Sequence, residues 1–220
     1  MTAADADVER GVDAAEEPLD AGPIGEWVMA MRAALLGARD ADVPCGACTA
    51  CCTSSQFVPV GPDETDALAR IPPALRFPAP GLPPGHVVLP YDERGHCPML
   101  VDGACSIYEQ RPRTCRTYDC RVFPATGVTL DDPAKAAITR RAARWRFGVT
   151  SDADRAAAEG LRAAAARVAD HPDRLLADRV PRNATERAVL AVEMHVGLVP
   201  DTMPGLLAPH RPLPPIPEDD

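Results

Sequence analysis

The sequence predicts a small, irregular α+β fold: a cysteine-rich core with short strands, flanked by several α-helices. Three observations predict it. All eight cysteines fall between residues 45 and 120. The same window holds proline-rich loops, turn pairs and only short apolar runs. The stretches on either side carry apolar residues at helical spacing or long alanine runs.

The elements follow in order. Residues 1–23 carry seven acids against one arginine, too much charge for their hydrophobicity to offset ordering entropy, so a disordered acidic tail is expected. Residues 24–39 read as a helix, with Trp27, Val28, Met31, Leu35 and Leu36 on one face. The cysteine run 45–52 is a loop, residues 55–60 have strand character, and 63–70 suit a short helix after Pro62. Seven prolines in 71–90 predict an extended loop joining the two cysteine groups. Residues 97–101 and 104–108 form a hairpin around Asp102-Gly103, and Pro112 opens a short helix to Tyr118 that places Arg111 and Cys115 on one face. Helices are expected over 132–147, 151–170, 172–180 and 185–198, with Ser151 and Asp154 forming a capping box on the second. Residues 199–220, with seven prolines, read as a flexible tail. The expected domains are therefore the tail 1–23, a cysteine-cluster domain 24–147, a thinner helical extension 148–198 and the tail 199–220. Eight of nine aromatics lie between Phe57 and Phe147, which places one small core around the cysteines.

Composition excludes several classes. The 220 residues hold 32 acidic and 23 basic side chains, a net charge of −9, and nine aromatics. A nucleic-acid partner is disfavoured, because it calls for a basic excess and stacking rings. No apolar run reaches the ~18 residues that span a bilayer, and the acidic start does not resemble a secretory signal. A cytoplasmic protein without nucleic-acid or membrane partners is expected. No G-x-S-x-G, P-loop, G-x-G-x-x-G or H-E-x-x-H string is present.

The cysteines carry the chemistry. Cys45, Cys48, Cys51 and Cys52 follow a C-x2-C-x2-C-C pattern, and Cys97, Cys105, Cys115 and Cys120 complete the set. Such clustering without an export signal points to metal rather than disulfides. Thiolates are soft ligands for zinc and iron–sulfur centres, and cysteines two residues apart can turn both sulfurs to one centre. Adjacent Cys51 and Cys52 suggest two centres or a multinuclear one, and eight thiols divide as two sets of four. The downstream intervals lack a second zinc knuckle, whereas the triple C-x2-C run with a distant Cys97-Pro98 is closer to a cubane iron–sulfur arrangement. Arg111, Arg113, Arg116 and Arg121 could compensate the thiolates, in a stretch (105–146) with nine basic and four acidic residues. His96 beside Cys97 is a further ligand candidate, weighed against an outer-sphere role, and Asp119 is assigned to a turn.

Cys45 to Cys52, then Cys97-Pro98-Met99-Leu100, then Cys105-Ser106-Ile107-Tyr108-Glu109-Gln110-Arg111-Pro112-Arg113-Thr114-Cys115-Arg116 resemble the YkgJ-type cysteine-cluster (CxxCxxCC) family over about residues 43–123. The resemblance implies zinc or iron chelation by the cysteines and a structural role for Tyr108, Arg111 and Pro112.

The resulting expectation is a soluble cysteine-cluster metalloprotein that binds an iron–sulfur cluster, or zinc, through all eight cysteines, with a redox or accessory role. Two alternatives stand beside it. One is an iron–sulfur-dependent oxidoreductase or protein-modifying enzyme with 71–90 as a lid. The other is a structural zinc module that recruits a protein partner through its C-terminal helices.

Overall fold

The computed structural model describes residues 17–41, 43–171 and 180–198. In chain order the elements are β1 (Leu19–Pro23), α1 (Ile24–Leu35), β2 (Val58–Val60), α2 (Thr65–Arg70), β3 (Phe77–Pro78), β4 (Val87–Leu89), β5 (Leu100–Val101), β6 (Ala104–Cys105), α3 (Arg113–Thr117), α4 (Val122–Thr126), α5 (Ala136–Arg144), β7 (Trp145–Gly148), α6 (Asp152–Asp170) and α7 (Ala184–His195). Short 3-10 turns cover Ala50–Thr53, Pro73–Leu75, Tyr108–Gln110 and Pro133–Lys135. This is the small, irregular α+β fold that the sequence predicts.

Two apolar clusters organise it. The first is helical. Trp27, Val28 and Met31 of α1 meet Val122 and Phe123 of α4, Ile138 of α5, Trp145, Leu161 of α6 and Val192 of α7. Cys120 belongs to this cluster. The second is built on small sheets. β4 lies between β2 and β3, both antiparallel to it. Val58, Val60 and Leu89 bury against Ala67, Ile71, Met99 and Ile107, with Cys97 and Cys105 packed at the edge. The expectation of one core around the cysteines is thus corrected to two cores, with Cys120 in the first and Cys97 and Cys105 packed against the second. The aromatics misled: Phe57, Phe77, Tyr91 and Tyr108 are exposed, and the buried rings are Trp27, Phe123 and Trp145.

Other differences have local causes. The stretch expected to end an acidic tail contains β1, which pairs in parallel with β7 and buries Ala21. Ladder bonds satisfy its backbone despite the acidic neighbours. The proline-rich 71–90 segment is tied down by β3 and β4, because its Val87-Val88-Leu89 run supplies the central strand. The helix expected over 132–147 runs only from Ala136 to Arg144; at Trp145 the backbone becomes extended and enters β7, where this buried residue pairs with Leu19. The helices beyond residue 148 are no thin addition, since Ala158, Leu161, Ala188 and Val192 are buried in the first cluster. Residues 1–16, 172–179 and 199–220, on which two expected tails and one expected helix fall, lie outside the described residues. No helix among the described residues is long and apolar enough to cross a membrane.

Candidate metal centre

The upstream cysteines sit on a loop whose turns are closed by its own backbone. Gly46 adopts φ 57°, which a side chain would disfavour, and the chain folds back so that Cys48 N–H donates to the Cys45 carbonyl at 3.1 Å. The 3-10 turn that follows is closed by Cys52 N–H on the Thr49 carbonyl at 2.8 Å. The fully buried Ser54 hydroxyl donates to the Ala50 carbonyl at 2.6 Å. Lys135, just before α5, donates from Nζ to the Ser54 and Ser55 carbonyls at 2.6 and 2.8 Å and to Gln56 Oε1 at 3.3 Å. Sequence reading gave Lys135 no role, because its acceptors lie about eighty residues away.

Backbone bonds bring the downstream cysteines to this loop. Cys97 N–H donates to the Cys52 carbonyl at 2.7 Å, and Ser55 N–H to the Gly95 carbonyl at 2.9 Å. A Cβ at Gly95 would collide with Ser55 Oγ, so this close approach requires glycine. Leu100 pairs with Cys105 across the hairpin, whose Asp102 and Gly103 take φ 50° and 77°. Cys115 lies on α3, which Thr114 fastens to β2 through the Pro59 carbonyl at 2.9 Å. Fully buried Pro112 caps α3. Arg111 precedes the helix instead of sharing its face with Cys115, and stacks 4.0 Å over the Tyr108 ring. His96 enters through its backbone N–H, which donates to Asp92 Oδ1 at 2.8 Å.

Cys120 is the buried member, and Asp119 beside it has more than a turn role. Its carboxylate accepts from Trp27 Nε1 at 2.8 Å and from Arg121 N, Nε and NH2 at 2.8–3.0 Å. Asp119 and Arg121 are both buried, so the pair locks the cysteine's backbone against α1. Trp145 Nε1 donates to Cys120 Sγ at 3.3 Å.

All eight thiols are free of disulfides. They fall into two neighbourhoods. Cys45 is raised above the usual thiol range by loss of water, then by Cys51 and Cys48, with Arg141 opposing. Cys120 is pushed up to about 12, mainly by burial, with Cys45 and Cys48 contributing. In the second neighbourhood Cys115 is pushed up to about 12 by loss of water and by Cys51, Cys97 and Cys105. Cys97 is raised by loss of water, with Cys105 and Cys51 adding. Cys51 faces both groups, and its Sγ lies 4.0 Å from that of Cys52, which raises it first through their hydrogen bond. Two sulfurs on one ion with bonds of ~2.3 Å would be about 3.8 Å apart, so this separation suits a shared or bridging centre. A thiol must lose its proton to bind, so metal uptake by these groups would release protons.

The arginines expected to compensate the thiolates mostly serve elsewhere. Arg113 pairs with Asp63, Arg116 with Asp40 and Arg121 with Asp119. Arg111 does bear on Cys115, and Arg141, on α5, bears on Cys45.

A cavity of about 800 Å³ opens beside Cys51, Cys52, Cys97 and Cys115, with Lys135 and the start of α7 on its other wall. A separate groove runs between Cys45, Cys48 and the arginines of α5. Among the described residues, no three His, Cys, Asp or Glu side chains stand so that they could hold a metal ion as placed. The thiols of Cys51, Cys52, Cys97 and Cys115 nonetheless border one cavity. Their donor chemistry fits a thiophilic metal. Two buried donors, Tyr118 Oη and Arg141 Nε, also lack partners beside them.

No curated protein and no solved structure matches the chain. The stretch that supplies all eight thiols, residues 44–132, does match a family model, that of CxxCxxCC, described as a putative zinc- or iron-chelating domain.

Proposed function

We propose that this protein is a thiolate metal chelator in which Cys45, Cys48, Cys51, Cys52, Cys97, Cys105, Cys115 and Cys120 hold iron, as an iron–sulfur centre, or zinc. One observation carries the reading: all eight cysteines are free of disulfides, and six of them border two openings, Cys51, Cys52, Cys97 and Cys115 on the cavity and Cys45 and Cys48 on the groove. Iron–sulfur is favoured by the C-x2-C-x2-C spacing and by the adjacency of Cys51 and Cys52 in the sequence, which points to two centres or a multinuclear one. Bound iron–sulfur would supply electron transfer; zinc would supply a structural clamp.

The test is metal analysis of protein purified without oxygen. Brown protein with iron and acid-labile sulfide is the expected result. Colourless protein with stoichiometric zinc removes the iron version, and protein holding neither metal overturns the reading.

The cavity favours a second reading, an iron–sulfur-dependent oxidoreductase. About 800 Å³ beside four of the thiols leaves room for a substrate. A centre that changes redox state and responds to added small molecules supports it, and a redox-silent centre removes it.

A further inference from the structure

Native folds leave few buried donors unpaired, because such a group gives up its water bonds without replacement. Among the described residues, Tyr118 Oη and Arg141 Nε are buried without a partner. Both border the cysteines. Tyr118 stands two residues before Cys120 and lines the cavity that also exposes Cys51, Cys52, Cys97 and Cys115. Burial, then the neighbouring Cys120, Cys51 and Asp119, raise its phenol well above its ordinary range. Arg141 lines the groove of Cys45 and Cys48. Its NH2 reaches the Cys45 carbonyl at 3.2 Å, and its guanidinium lies 5.0 Å over the Trp145 ring. That ring donates to Cys120 Sγ.

The missing partner is therefore an acceptor in the region of the sulfurs. A protonated thiol is a weak acceptor, whereas a metal-bound thiolate is anionic and takes charge-assisted bonds. We propose that Tyr118 Oη and Arg141 Nε are positioning donors to the thiolate sulfurs of the loaded centre, Arg141 on the Cys45 side and Tyr118 on the side of the cavity that Cys51 lines. The proposal rests on the chelation reading. It adds that these two side chains orient the ligands and favour their ionised form, as outer hydrogen bonds do at other metal sites.

The experiment uses the full chain, with zinc in competition with a chromophoric chelator and cobalt(II) as a spectroscopic stand-in. Tyr118→Phe and Arg141→Lys should each bind zinc about 10–100-fold more weakly than wild type. Their cobalt–thiolate absorption bands should shift. Metal-free Tyr118→Phe should unfold at no lower a temperature than wild type, since it removes only an unpaired hydroxyl. Unchanged affinity and unchanged bands would overturn the proposal. So would a lower metal-free midpoint for Tyr118→Phe, which would show that the hydroxyl already has a partner. Wild-type protein that takes up neither ion and, purified without oxygen, also holds no iron or acid-labile sulfide would instead remove the chelation reading itself.

Discussion

At the residue scale, Asp119 does what its neighbourhood in the chain did not announce. In Tyr118-Asp119-Cys120-Arg121 it looks like a turn former. Its second partner, Trp27, is 92 residues away. Removing the carboxylate leaves the Trp27 N–H buried without its acceptor and takes the anion away from the buried Arg121 guanidinium. Asp119→Ala should therefore lower stability by about 3–5 kcal/mol, the range for breaking a buried pair from one side. Urea unfolding of the variant and the wild type measures it, and a loss below ~1 kcal/mol would show that water replaces the carboxylate. The cysteines are the opposite case. Their softness and clustering are properties of residue type and spacing, so the candidate ligands are legible directly. Their allocation into two neighbourhoods is not, because Cys120 joins Cys45 and Cys48 only through packing on α1 and α4.

At the element scale, α6 shows local code and tertiary use together. Ser151 Oγ accepts from Asp154 N–H at 3.0 Å while the Asp154 carboxylate accepts from Ser151 N–H, which is the capping box that the sequence predicts. Ser151→Ala should cost about 1 kcal/mol by thermal or urea unfolding. The same carboxylate also accepts from Gly25 N–H at 3.0 Å and so joins α6 to the start of α1. Gly25 first, then Ser151 and Thr150, hold Asp154 well below the usual carboxylate range. A folded value lower than the unfolded ~3.9 gives stability that is present above pH ~4 and lost as pH falls further. Thermal midpoints between pH 2 and 7 should show this acid loss in wild type and a smaller one in Asp154→Asn. An equal slope in both would assign the acid sensitivity to other groups. The Asp102-Gly103 hairpin was legible for the same reason as the cap: both are decided within a few residues. The break at Trp145 was not, because pairing with Leu19 outweighed the helical pattern.

At the scale of the whole molecule, the helices beyond residue 148 and the cysteine loop share supports. Leu161 and Val192 bury against the cluster that holds Trp27 and Cys120. A chain ending at Gly148 would expose that face of α1 and α4. It should lose near-ultraviolet circular dichroism, cooperative unfolding and metal content together. A truncated chain that still unfolds cooperatively and binds metal would show that the cysteine region stands alone.

The sequence by itself determined the candidate donors, the α+β class, the hairpin and the α6 cap, because each depends on residue chemistry or on neighbours a turn away. Tertiary structure decided the rest: two cores instead of one, Cys120 grouped with Cys45 and Cys48, Asp119 and Lys135 as fasteners, and β1 paired with β7. These depend on contacts between residues about 30 to 130 positions apart. Such contacts are selected by burial and by the need to pair every buried polar group across the whole chain, and no local window contains that sum.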